Sequence, residues 1–217
     1  MFLGLRTAHR IAARAALAAL LAVTALTAGV GHADPGGRMY GDPEAAAPYW
    51  RYQFGNDCGL MAVADVVGQL TGQEPTQVGI VLRAMFTKSE AHQGDIYFFD
   101  GTSPEDLVDL LGKYGIQSDL TTGNTMAGLE QDLAGGHKVI AGVNAETIWN
   151  YPPGEGQRTR ANHAVVVTGV DTADDVVHLN DSGIPTGRDE RIPMDTFKQA
   201  WATSDNLLIV TVETNSI

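Results

Sequence analysis

The sequence is poor in cysteine. Cys58 is the only one in 217 residues. A single thiol closes no intramolecular disulfide, so a disulfide-stapled scaffold is excluded. This matters because the N-terminus reads as an export signal, and exported proteins commonly use disulfides. Zinc is disfavoured for the same reason: one Cys and scattered His residues supply no ligand pair at the usual spacings. No metal or other cofactor is expected. Basic residues are also scarce, 14 Lys and Arg against 26 Asp and Glu, a formal net charge of −12. That balance disfavours nucleic acid and anionic membrane surfaces as partners, and it permits cationic peptides. Internal repeats and low-complexity tracts are missing beyond the first 33 residues, as is any further apolar run long enough to cross a membrane.

Residues 1–33 have the three parts of a signal peptide. Arg6, Arg10 and Arg14 make a positive start, Ala15 to Val30 an apolar middle, and Gly31-His32-Ala33 a small-residue cleavage site before Asp34-Pro35. With no Arg-Arg pair, the general secretion route is expected, and the protein is read as secreted or associated with the cell envelope. Removing 33 of the 217 residues leaves 184, and removing the three arginines from 14 basic residues leaves 11 against 26 acids, a formal charge of −15. A chain of that length suits one domain with a sizeable core.

Residues 34–49 (DPGGRMYGDPEAAAPY) read as an extended lead-in with little to order it. The domain is taken to run from 50 to 217. Trp50, Tyr52 and Phe54 alternate with Arg51 and Gln53 as in a short strand, which sets Gln53 on the face opposite the aromatics. Leu60, Met61, Val63, Ala64, Val66, Val67 and Leu70 then follow the spacing of a buried helix, with Asn56 or Asp57 able to cap it and Gly72 able to end it. A second helical run covers Val78 to Met85. Residues 87–102 form a loop whose Tyr97-Phe98-Phe99 patch is expected to pack into the core. Ser103-Pro104-Glu105-Asp106 is a helix start, and Thr125 caps another. Strands are expected over 116–120, 139–143, 164–170, 176–179 and 206–213, with a polar loop at 150–160 and one short helix within 192–201. Helices come first and an antiparallel sheet second, an α+β domain.

Cys58 falls in the first turn of its helix, where the dipole and unpaired N–H groups favour thiolate over thiol. A cysteine nucleophile needs a base, and the base needs an orienting group. Of the four histidines after residue 33, His92 lies in a polar loop and His137 beside Gly135-Gly136. His163 and His178 lie on the two strands of one hairpin. Folding the chain at Ala173 sets Val165 opposite Asp181 and makes Asp181 a diagonal neighbour of His163 on the same face, whereas His178 has the opposite parity. A one-residue error in the turn would reverse this.

These residues carry a resemblance. Gln53, then Asp57-Cys58-Gly59, then Asn162-His163-Ala164-Val165-Val166-Val167-Thr168-Gly169-Val170-Asp171, then His178-Leu179-Asn180-Asp181 resemble the papain-like cysteine peptidases, most closely the bacteriocin-processing, double-glycine type. The resemblance spans about residues 50–213. It implies a papain-like fold, with a helical part carrying the nucleophile on a helix N-terminus packed on an antiparallel sheet. It further implies that Cys58 is the nucleophile, that His163 is the base, that Asp181 orients it, and that Gln53 and the Cys58 N–H form an oxyanion hole. The implied substrate is a peptide or protein. Peptide exporters of this type join the peptidase to membrane and ATP-binding domains that this chain lacks. The family acid is often followed by Pro, whereas Ser182 follows here, which leaves Asn180 as a rival orienter. Two other functions share these residues: an amide hydrolase or acyltransferase on cell-wall peptides, its acceptor site shaped by the 150–160 loop, and a non-catalytic peptide-binding module.

Overall fold

A computed structural model describes residues 37–214; the stretch 1–33, read as a signal, lies outside them. Among these residues seven strands form one antiparallel sheet: β1 Met39–Gly41, β2 Ser118–Thr121, β3 His137–Val143, β4 His163–Asp171, β5 Val176–Asn180, β6 Glu190–Pro193 and β7 Leu208–Thr214. The order across the sheet is β2-β7-β3-β4-β5-β6, and β1 pairs with β4 from Gly169 to Asp171, beyond the reach of β3. The described residues also form seven α-helices: α1 Pro43–Ala46, α2 Cys58–Thr71, α3 Gln77–Met85, α4 Pro104–Lys113, α5 Met126–Ala134, α6 Ala145–Ile148 and α7 Met194–Ala202.

The sheet is buried on both faces. Ile140, Val166 and Ile209 pack with α2, α3 and α4, while Val139, Ala141, Val165, Val167 and Leu179 pack with α5, α6 and α7. This explains why β4 is a nearly unbroken apolar run: a strand covered on both sides has no polar face to alternate with. The second helical layer is what the sequence reading lacked; the fold is otherwise the expected α+β arrangement of a helical first part on an antiparallel sheet.

The central element is α2. Every residue from Gly59 to Gly68 is buried, and fully buried side chains such as Leu60, Val63 and Val66 each contribute roughly 1.5–3 kcal/mol. Gly72 ends the helix in the left-handed conformation (φ 71°), which costs a glycine nothing. The expected caps of α4 and α5 are present: Ser103 accepts from Asp106 N–H, and Thr125 from Gly128 N–H.

Two local expectations differ. The lead-in is structured from Met39 onward: β1 joins the sheet, Asp42 caps α1 by accepting from Ala45 N–H, and Ala47–Tyr49 form a 3-10 turn. Composition hid this because β1 finds its partner some 130 residues away. The aromatic patch is divided. Tyr97 is buried, but Phe98 and Phe99 are 71% and 61% exposed. Phe99 has a positive φ of 64°, and its carbonyl accepts from Asn56 Nδ2, which turns the loop tip outward.

Candidate active site

The first turn of α2 is unusual in having no side-chain cap. Asp57 occupies the cap position but points backward, its Oδ1 accepting from Phe54 N–H (2.8 Å) and its Oδ2 from Gln77 Nε2 (2.9 Å). The N–H groups at the helix start therefore remain for a negative charge, and Cys58 is the first helical residue. The segment 50–54 is irregular, not the short strand expected. Gln53 is held from outside it. Its backbone N–H donates to Ser182 C=O (2.9 Å), its Oε1 accepts from Ser182 Oγ (2.9 Å), and its Nε2 donates to Gly55 C=O (2.7 Å). One amide hydrogen remains for another acceptor. Ser182, the departure from the family pattern, is thus the residue that holds Gln53.

His163 begins β4 and is buried. Its Nε2 meets Asp181 Oδ1 at 2.6 Å, and its other nitrogen is left for the hydrogen bond that it shares with the Cys58 thiol. Asp181 is fully buried. Oδ1 also accepts from Gly183 N–H (2.7 Å), and Oδ2 accepts from Trp149 Nε1–H (2.8 Å). Its backbone is fixed as well, with Trp50 Nε1 donating to its carbonyl. Asn180 points to the other face. There its Nδ2 donates to Ala46 C=O (3.0 Å) and Asp65 Oδ2 (2.7 Å), and its Oδ1 accepts from Asp189 N–H. Of the two rivals, Asp181 is the one beside His163.

Burial resists ionisation of the Cys58 thiol. The hydrogen bond and charge of His163, with the N–H groups of Ala164 and Gly59, outweigh it and hold the thiol below its ordinary value. Burial likewise resists protonation of His163, but Asp181 and Cys58 raise it to about 10. For Asp181, burial is outweighed by His163, Trp149 and the Gly183 N–H, and its carboxyl stays below the usual range. Each of these directions is the one that favours a thiolate–imidazolium pair backed by a carboxylate.

Gln53, Cys58 and His163 line a cleft of about 570 Å³, a size that suits a segment of substrate. Its apolar lining includes Leu107, Ile140, Leu207 and Ile209, and besides Cys58 and His163 its ionisable side chains are the carboxylates Asp100 and Glu146. Asn144 Nδ2 and Asn162 Nδ2 hold Glu146 in place. No residue of the 150–160 loop lines the cleft, although Trp149, Ala161 and Asn162 beside it do. Among the described residues, no three His, Cys, Asp or Glu side chains are placed to hold a metal ion.

Sequence reasoning missed Trp149 and Gly183. The Trp149 ring lies 5.3 Å from the His163 ring and covers the His163–Asp181 bond. A side chain at 183 would strike that indole while crowding Asp181 and His163 at 3.1 Å, so glycine is what lets the three close together.

Relatives agree with this architecture. Rv1268c of Mycobacterium tuberculosis (strain ATCC 25618 / H37Rv) and Mb1299c of Mycobacterium bovis are each 48% identical over 219 residues, covering 89% of this chain and 94% of theirs. A crystal structure described as a C39-like peptidase from Bacillus anthracis superposes with a TM-score of 0.59 at 20% identity, covering 81% of this chain and 98% of that one. The peptidase domain of Streptococcus ComA, a bi-functional ABC transporter involved in quorum sensing, gives 0.52 at 20% identity, with 75% and 96% covered. At such identities the likeness shows the fold. The Peptidase_C39 like family model matches residues 44–209, and the chain belongs to that family.

Proposed function

We propose that the protein is an exported cysteine peptidase that hydrolyses peptide bonds with Cys58 as nucleophile, His163 as base and acid, and Asp181 as the group that orients His163. One observation carries this reading: buried His163, bonded to Asp181 at 2.6 Å, stands against the half-buried Cys58 thiol at the wall of a cleft. The Cys58 thiolate attacks the carbonyl carbon and forms a C–S bond. The oxyanion is received by the spare Gln53 Nε2–H and the Cys58 N–H, each donor contributing on the order of 10²–10³-fold in rate. Collapse breaks the C–N bond as the His163 imidazolium gives its proton to the leaving amine. His163 then takes a proton from water, the hydroxide breaks the C–S bond, and the thiol is restored.

The acidic cleft favours a substrate with a basic residue near the scissile bond. The signal read in residues 1–33 supports an activity outside the cytoplasm. The decisive experiment incubates the protein from residue 34 onward, and its Cys58→Ala variant, with unstructured polypeptides and with peptidoglycan fragments. Polypeptide cleavage by the native protein and none by the folded variant is expected. Hydrolysis retained in Cys58→Ala removes the nucleophile, and turnover of peptidoglycan fragments alone replaces the peptidase reading with a cell-wall amidase.

A further inference from the structure

A second carboxyl group lies against Asp181. Glu190 opens β6 opposite Leu179, and register puts its side chain on the sheet face that also carries His163. Its carboxyl meets that of Asp181, and its Oε2 is buried with no hydrogen-bond partner. Two carboxylates in contact repel, and an unpaired buried oxygen is costly; a proton on one of them removes both penalties. The nearby cations are engaged elsewhere: Arg188 stacks over Trp50, Arg191 faces Asp174, and Lys198 faces Asp195. The charged and titratable groups facing Glu190 are Asp181 and, more weakly, His163. The proton is better placed on Glu190 than on Asp181, because the donors from His163, Trp149 and Gly183 favour the Asp181 carboxylate and hold its carboxyl below the usual range.

We propose that Glu190 is a positioning residue, a neutral carboxylic acid that donates its proton to Asp181 and holds the Asp181 carboxylate in line with His163. This role rests on the reading of Asp181 as the group that orients His163. The donated O–H occupies a fourth lone-pair direction of Asp181, completing a set with the donors from His163, Gly183 and Trp149. Burial first, then the Asp181 charge and hydrogen bond, raise the Glu190 carboxyl to about 7 from its ordinary 4.5. A raised carboxyl binds its proton more tightly in the folded than in the unfolded chain. The stability it contributes is therefore full below the ordinary value and declines as pH rises towards 7.

The test compares thermal melting at pH 5 and pH 8, and the rate of Cys58 alkylation, in the native protein, Glu190→Gln and Glu190→Ala. Glutamine keeps a donor that does not titrate. The native midpoint should fall more between the two pH values than that of Glu190→Gln, since Asp65 and Glu74, raised to about 7 as well, are common to both. Glu190→Ala should slow alkylation by about three- to tenfold, the worth of one hydrogen bond, and Gln should restore it. Equal pH dependence of melting in native protein and Glu190→Gln, or failure of Gln to restore the rate, overturns the proposal. Melting does not involve the thiol. If the melting difference is present but alkylation is indifferent to His163→Ala, the peptidase reading fails and the positioning role fails with it, while the carboxyl pair stands. Should Glu190→Gln not fold, carboxyl ¹³C signals of glutamate-labelled Glu74→Gln protein report on the same group. A glutamate still titrating near pH 7 supports the proposal, and none doing so overturns it.

Discussion

Two histidine–aspartate pairs lie on the same hairpin. His163 meets Asp181 and His178 meets Asp189, both at 2.6 Å, and both imidazoles are buried. By residue type and distance they are equal. They differ in what stands at the far end. The second nitrogen of His163 meets a thiol at the wall of a cleft, whereas the Nε2 of His178 is buried without a partner. The acids differ too. Asp181 is fully enclosed by donors, while the Asp189 side chain is 38% exposed and tethers one end of the 181–189 loop. A His–Asp pair is thus a way of fixing two segments together. It becomes a candidate for chemistry when a nucleophile and access for substrate are added.

The strongest way to break this distinction is to delete each imidazole. His163→Ala is expected to lower both hydrolysis and Cys58 alkylation at neutral pH by about 10²–10⁴-fold, the usual worth of a positioned base. The thiol should also return towards its ordinary pKa, because the charge and hydrogen bond that lower it are gone. His178→Ala should leave the rate per folded molecule unchanged and cost about 1–3 kcal/mol of stability in denaturant titration, since it empties a packed site and releases the loop. A matching loss of alkylation in both variants would mean that the pairs are not functionally distinct.

The acids give a second test. In Asp181→Asn, either orientation of the amide turns an N–H towards a donor, Trp149 on one side or His163 and Gly183 on the other. An opposed buried donor costs about 1–3 kcal/mol, and a misoriented imidazole lowers turnover by up to about 10⁴-fold. An Asp181→Asn protein with near-native turnover would show that the asparagine of the papain branch is equally acceptable here and that the donor ring does not select the acid.

How far the sequence reached this site is visible in the hairpin register. Folding at Ala173 set Val165 opposite Asp181. The ladder near the site follows it, with Val166 opposite Asn180 and Val167 opposite Leu179. Nearer the turn it does not: Gly169 faces His178 and Asp171 faces Val176, one residue out. The turn is longer than a fold centred on Ala173 allows, and a bulge between Val167 and Gly169 takes the extra residue back. The His163–Asp181 pairing was legible because two offsets cancel, and either alone would have turned Asp181 to the other face. Helix boundaries were readable for a sounder reason, since Ser103, Thr125 and Gly72 act on their immediate neighbours. Trp149, Ser182 and Glu190 were not readable. Each matters through contacts that no local spacing encodes: Ser182 holds Gln53 from 129 positions away, and Glu190 reaches Asp181 by strand pairing.

The smallest expected effect sharpens the comparison most. Asp189 has a positive φ of 50°, a conformation in which asparagine is as comfortable as aspartate. In Asp189→Asn the side-chain oxygen still accepts from His178 Nδ1, and solvent around the half-exposed group replaces what the charge supplied. The loss should be no more than about 1 kcal/mol, with turnover unaffected. The same substitution at Asp181 is expected to be severe. The identical change, made on two pairs of equal length in one hairpin, therefore isolates enclosure as the variable. Measured by denaturant midpoint and by Cys58 alkylation, a large effect at both positions would show that the charge of the acid, and not its ring of donors, sets each pair apart from an ordinary hydrogen bond.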